Sequence, residues 1–231
     1  LTTMTAGQKK FLVLPQREPM IPAGSNGMWV SSMLPHTASV ADDLCFVRSM
    51  YSEAINHAPA TTFFLTGSQQ PGRPSMGAWL SYGLGNENDN LPTYCVMTSR
   101  DKTDNCGQLF YDYYWGAGFL PAQHQGVQFR PSGDPVLYLK DPPGMTRERK
   151  RDLLNDLARL NRLHGEATSD PEVNARISQY EMAYRMQASV PDLLDFSKEP
   201  QHVLDLYGPD VHRRGSFAYN CLVARRLAER D

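Results

Sequence analysis

Glu53-Ala54-Ile55-Asn56-His57-Ala58-Pro59-Ala60, followed by Thr61, Thr62 and then Leu65-Thr66-Gly67, is the densest polar stretch of the chain. Asn56 to Pro59 reads as a turn that leads into a helix over Ala60 to Leu65, stopped at Gly67. The apolar Cys45-Phe46-Val47 ahead of it reads as a short buried strand. A strand end that hands over to a helix N-terminus is where open parallel sheets gather ligands. Unpaired N–H groups point outward there, and the helix dipole favours an anion. Asn56 and His57 are therefore candidate contacts to a phosphate, a sulfate or a metal ion. A turn histidine satisfying a local carbonyl is the competing structural explanation.

Working outward, the chain has 231 residues with 41% hydrophobic and 21% charged positions, the balance of an ordinary folded protein. A formal net charge of -2 provides no positive field to gather nucleic acid or anionic membrane. Arg147, Arg149 and Arg151 cluster, but Glu148 and Asp152 are interleaved with them, so a solvated helix face is expected. No run approaches the ~18 apolar residues of a membrane-spanning helix. The opening Leu1-Thr2-Thr3 has neither an initiator Met nor a basic-then-apolar leader, so no signal peptide is read within this segment. Cys45, Cys95, Cys106 and Cys221 lack zinc-finger spacing and read as buried thiols, with Cys95 and Cys106 a candidate disulfide flanking one loop.

Residues 1–35 look irregular, with Phe11 to Leu14 a candidate strand and Pro15 to Gly27 a loop. Leu34, Ala38 and Ala41 lie at near-helical spacing. Pro74 suits a first helical turn, and the helix it opens carries Met76, Trp79, Leu80 and Leu84 before stopping at Gly83 or Gly85. Tyr94-Cys95-Val96-Met97 suits an interior strand of a parallel sheet. From Arg100 to Pro143 glycine, proline and aromatics dominate, which predicts an excursion packed by its rings, with a short strand at Val127 to Phe129. Leu153, Leu154, Leu157, Leu160 and Leu163 form an apolar helical stripe. Asp170-Pro171-Glu172 is a helix start, and Pro191 should stop or kink that helix. Ser216 is expected to cap a last helix carrying Phe217, Cys221, Leu222 and Leu227. A final helix running to Arg230-Asp231 looks like half of a helix-to-strand unit; a complete α+β domain with frayed ends is the alternative.

Other candidate chemistry is sparser. Arg73, in Arg73-Pro74-Ser75, sits at a helix start where its fork of donors suits an oxyanion. Asp42 and Asp43 are adjacent and do not share a helical face, which argues against a paired-carboxylate site. There is no GxGxxG, GxxxxGK[ST] or HExxH. His202, Asp205, Asp210 and His212 lie close in sequence, but the Tyr207-Gly208-Pro209-Asp210 turn accounts for the acids structurally. The rings at 111–115 suit core packing better than sugar stacking.

With these residues in view, the chain resembles a known family. Glu53 to His57 and the run Thr66-Gly67-Ser68-Gln69-Gln70-Pro71-Gly72-Arg73-Pro74-Ser75-Met76-Gly77-Ala78-Trp79-Leu80 are similar to a large bacterial family of uncharacterised exported proteins related to the sulfatases, within the alkaline phosphatase superfamily. The likeness continues through Gly118-Phe119-Leu120-Pro121, Gln125-Gly126-Val127, Gly133 to Leu139, Gln179 to Ala183 and Asp205 to Pro209, and so covers nearly the whole chain. Members are about twice this length, so by this comparison the chain is a central fragment. The resemblance implies an α/β fold, an alkaline phosphatase/sulfatase-like sheet flanked by helices and incomplete in this chain. On this reading 1–143 is part of that domain with the excursion at 100–143, 144–199 is a helical hairpin insertion, and 200–231 returns to the domain.

The resemblance also implies a function. Sulfatases place a cysteine, later oxidised to formylglycine, two residues before a proline at a helix start, and that helix ends in a leucine-threonine-glycine run. Leu65-Thr66-Gly67 matches that run and Pro59 matches the proline. The nucleophile position then falls on His57, and the arginine that follows in sulfatases falls on Thr61. A metal-dependent phosphate or sulfate ester hydrolase is the leading expectation, with His57 as nucleophile or ligand, Asn56 beside it and Arg73 as an anion contact. The resemblance implies divalent ions (zinc, calcium or magnesium) in the full-length protein, held mostly by residues outside this chain. It also implies an exported, periplasmic or extracellular protein with a signal peptide at full length. The substrate would be a small or polysaccharide ester, with no nucleic acid partner. The alternative is a non-catalytic envelope or surface protein on the same fold. Substrate, metal and oligomeric state stay open.

Overall fold

Ten glycines with positive φ punctuate the described residues, and the regular elements fall between them. The computed structural model describes residues 7, 9–10, 13–86, 88–99, 111–136, 141–168 and 172–230, apart from the side chains of 165–168. Contacts divide the chain into two units, Leu1–Ile55 and Asn56–Asp231.

In the first unit, β1 (Met20–Ala23) and β2 (Met28–Ser31) form an antiparallel hairpin with Ile21 opposite Val30. The sequence reads β1 as loop; it forms a strand because Gly24 and Gly27, at φ of 70° and 66°, close the four-residue connection. Helix α1 (Pro35–Ser39) and a 3-10 turn (Ala41–Asp43) follow. Ala23, Val30 and Ala41 make the small core. Asp42 is used structurally: its Oδ1 accepts from Ser25 N at 2.7 Å and from Ser25 Oγ at 2.9 Å. Cys45 to Val47 is not the expected strand but exposed coil, with Val47 62% accessible. Three apolar residues in a row are too short a signal to fix a strand without a partner to pair with. Of the candidate strand at Phe11 to Leu14, Phe11 and Leu12 lie outside the described residues.

In the second unit, α2 (His57–Thr66) starts three residues earlier than the sequence suggests. Pro59 sits in its first turn, where an N–H has no helical acceptor in any case. Gly67, at φ 72°, ends it by donating to Phe63 O at 2.8 Å. Ser75 caps α3 (Met76–Leu84) by accepting from Ala78 N, so Pro74 precedes the cap instead of entering the helix; Gly85 closes it. The strands β3 (Cys95–Met97) and β4 (Val127–Phe129) pair in parallel, Cys95 opposite Val127 and Met97 opposite Phe129. Between them, 3-10 turns at Asp112–Trp115 and Ala122–His124 are packed by rings: Tyr111 stacks on Tyr113 at 5.1 Å, and Tyr114 meets Tyr113 edge-on at 4.9 Å.

Helices α4 (Arg147–Thr168) and α5 (Glu172–Leu194) pack together as a hairpin. Of the leucine stripe only Leu154 is buried, while Leu153, Leu160 and Leu163 are exposed. The less exposed face runs through Arg151, Leu154, Leu157, Ala158 and Asn161, so two of the five leucines share it with an arginine. Arg151 donates to both carboxylate oxygens of Glu181 at 2.9 Å and stacks over the Tyr184 ring at 4.0 Å. The expected solvated face is thus partly an interhelical contact, because Glu181 and Tyr184 lie across from it. Of the helix-start signal, Asp170 and Pro171 lie outside the described residues.

Pro191 does not end α5, which continues to Leu194 with Val190 and Leu193 fully buried. These two join Leu91, Phe129, Met186 and Val223 in the main core. Helices α6 (Gln201–Tyr207) and α7 (Phe217–Ala228) add a second cluster of Leu204, Val211 and Leu222. Ser216 caps α7 as expected, accepting from Tyr219 N at 3.0 Å. Arginines of α7 and just beyond it reach the end of α5. Arg226 donates to Leu193 O and Asp192 O, and Arg230 donates to Ser189 O. Arg225 and Arg226 together hold the Glu199 carboxylate. No helix among the described residues is long and apolar enough to cross a membrane.

Candidate functional site

Helix α2 presents its N-terminus through two exposed residues. Asn56, extended at φ -93° and ψ 151°, occupies the cap position, but its side chain makes no cap hydrogen bond. Its backbone carbonyl accepts from Ala60 N at 3.1 Å. His57 is the first helical residue, so its imidazole leaves the chain where the leading N–H groups of α2 lack helical acceptors. The combination of uncapped donors, dipole and imidazole favours an anion.

The other expected positions are arranged as follows. Arg73 is exposed and precedes buried Pro74. Pro74 borders a shallow depression with Thr66 and Gly67 at the opposite end of α2 from His57, roughly 14 Å of helix away. Asn56 and His57 are thus together by chain adjacency, whereas Arg73 adjoins Pro74, beside the far end of α2. Thr61 hydrogen-bonds the hydroxyl of buried Tyr114, whose acidity is lowered mainly by that burial. His202 and His212 are exposed, Asp205 accepts from Gln201 Nε2 at 2.8 Å, and Asp210 pairs with Arg213 at 3.2 Å. Among the described residues no group of three or more His, Cys, Asp or Glu gathers to hold a metal ion. His57 with Asn56 alone does not make a divalent-ion site, because such ions take four or more ligands.

Cys45, Cys95 and Cys221 are free thiols; Cys106 lies outside the described residues. Cys45 is exposed, contrary to the expectation of a buried thiol, because its segment is coil. Burial pushes the Cys95 thiol up to about 12, and its Sγ is 3.5 Å from Pro92 O. Thiolate is the reactive form, so Cys45 is expected to react with iodoacetamide at a pH of about 8 while Cys95 reacts only after denaturation. Peptide mass mapping checks this; equal labelling rates in the native protein would contradict it.

One cavity in the second unit was not legible in the sequence. It has a volume of about 390 Å³ and opens among α3, the loop before β3, the turn Ala122–His124 and the face of α5 around Met182 and Arg185. Ser81 Oγ and His124 Nδ1 lie 3.0 Å apart on its wall, and Gln123 Nε2 lies 3.2 Å from His124 Nε2. Ser81, His124 and Arg185 come from three separated segments and carry no shared motif. Only the helical spacing of Met182 and Met186 with Arg185 marks a common face in the sequence.

The chain belongs to the family described as "Protein of unknown function (DUF1501)", which matches residues 3–231. No curated protein and no solved structure matches it.

Proposed function

We propose that this chain is part of a sulfatase- or phosphatase-like ester hydrolase that acts outside the cytoplasm on a phosphate or sulfate ester. The observation that carries the reading is the exposed His57 at the uncapped N-terminus of α2, at the position its Leu65-Thr66-Gly67 resemblance gives to the sulfatase nucleophile. An ester oxyanion placed there meets helix N–H donors and the Asn56 amide. One imidazole nitrogen then attacks the central phosphorus or sulfur, and the ester oxygen departs with its bonding pair and takes up a proton. Water later cleaves the nitrogen adduct and restores the imidazole. Among the described residues no group of ligands gathers, so the reading assigns any ligands for zinc, calcium or magnesium to residues other than these. A divalent ion would supply polarisation of the ester.

The test is turnover of p-nitrophenyl phosphate and p-nitrophenyl sulfate by the full-length protein, with added divalent ions, against His57→Ala. Loss of turnover in the variant with unchanged unfolding is expected. Equal turnover in both removes His57 from the chemistry.

A second reading, a non-catalytic surface-binding protein, is favoured by one feature. Trp79 meets Phe119 at 5.8 Å and Tyr82 at 6.2 Å, and Phe64, Leu80 and Leu84 are also exposed on α2 and α3. Such a patch suits partner contact. Absence of turnover with every metal tested, in wild type and variant alike, would support it over hydrolysis.

A further inference from the structure

We infer that the 390 Å³ cavity is a binding site for a small organic carboxylate with an apolar body. Its charge balance is one-sided: among the described residues, Arg185 is the one Asp, Glu, Lys or Arg on its wall. The Arg185 Nε is shielded from solvent and has no hydrogen-bond partner among them. That N–H is out of reach of the cavity; what Arg185 offers the space is its charge, which no carboxylate among the described lining residues neutralises.

The wall holds a second donor. With the Gln123 amide turned so that Nε2 faces the ring, Gln123 donates and His124 Nε2 accepts. In the neutral ring the proton then sits on Nδ1 and is donated to Ser81 Oγ. This orientation has two consequences. In this tautomer His124 donates to Ser81 and does not draw a proton from it. The Ser81 hydroxyl, accepting from His124, keeps its own hydrogen for another acceptor. A guanidinium and a hydroxyl therefore line one space.

Charge selects the ligand. One guanidinium neutralises one negative charge, and its planar fork fits a carboxylate; a phosphate dianion would leave net charge in a site whose described wall has no second Lys or Arg. Val127, Val136, Met182 and Met186 form the apolar part of the wall and take a ring or short alkyl body. This site lies apart from His57 and does not depend on the hydrolase reading.

Calorimetric titration of the full-length protein with phenylacetate is the test, with phenylacetamide and sodium sulfate as comparisons. Phenylacetate is expected to bind at least tenfold more tightly than either. Arg185→Met should weaken phenylacetate at least tenfold, Met182→Trp should block the apolar half and do likewise, and His57→Ala should leave binding unchanged. Should Arg185→Met fail to fold, Met182→Trp still decides. No phenylacetate binding to the wild type, equal binding of the neutral amide, or tighter binding of sulfate overturns the proposal.

Discussion

Replacing Gly118 by alanine is expected to lower stability by about 3–4 kcal/mol, read as a leftward shift of the urea midpoint at unchanged slope. Two effects add. Gly118 has φ 59°, a conformation that costs an L-residue roughly 1–2 kcal/mol. An added Cβ would also stand 2.3 Å from Pro74 N and 2.4 Å from Arg73 C. These are backbone atoms, so the collision is relieved only by moving the chain segment that leads into α3. Gly116 O accepts from Ser75 N at 3.1 Å across the same contact, which resists that movement. Gly144 supplies the comparison: it has φ 84°, and a Cβ added there would meet nothing within 4 Å. Gly144→Ala should therefore cost only the conformational part, about 1 kcal/mol. Equal losses in the two variants would show that the close approach to Pro74 carries no energy.

The second large effect concerns Glu199, whose side chain is 11% exposed and held by Arg225 and Arg226. Arg225 is the larger cause of a carboxyl pKa held below the usual range, with Arg226 adding to it. A carboxylate whose folded value is depressed contributes fully above its unfolded value of about 4.3, and that contribution is lost as pH falls through the folded value. Glu199→Gln is therefore expected to destabilise by about 3 kcal/mol at neutral pH, because two partly shielded guanidinium groups lose their anion. The difference from wild type should shrink as pH drops below about 4, where the wild-type carboxyl also becomes neutral. Urea unfolding of both proteins from neutral pH down to about 3 checks this. A gap that stays constant with pH would mean that the charge is not what the pair contributes.

Legibility in the sequence followed the range of the forces involved. Local signals read well: Gly67, Gly85 and Ser216 mark helix ends through backbone conformation and a hydroxyl cap, and Tyr94 to Met97 and Val127 to Phe129 read as strands by composition. Where an element depends on a distant partner, the reading failed. Cys45 to Val47 has no strand to pair with among the described residues, and β1 exists because two glycines turn it back on β2. The leucine stripe of α4 gives only part of the packed face, Leu154 and Leu157, because Arg151 joins it by finding Glu181 and Tyr184 thirty or more positions away. At the candidate site, the chain order alone brings Asn56 and His57 together. Arg73, read as an anion contact by type, precedes Pro74, which lies beside Thr66 and Gly67 at the other end of α2. The Ser81, His124 and Arg185 wall is assembled from three segments and is invisible to spacing.

The end of α5 has a consequence for how the protein opens. Pro191 cannot donate to a carbonyl one turn back, so the last turn of α5 is deprived of one of its own bonds. Nearer its end, the carbonyls of Ser189, Asp192 and Leu193 are held by Arg226 and Arg230, which also bring positive charge to the negative end of the helix dipole. The end carbonyls Asp192 and Leu193, which a helix leaves without internal donors, thus find theirs on a neighbour 34 and 33 residues later, and Ser189 finds one 41 residues later. The last turn of α5 and the arginine-bearing end of α7 should then behave as one foldon, their amide hydrogens exchanging with a common opening free energy rather than fraying separately.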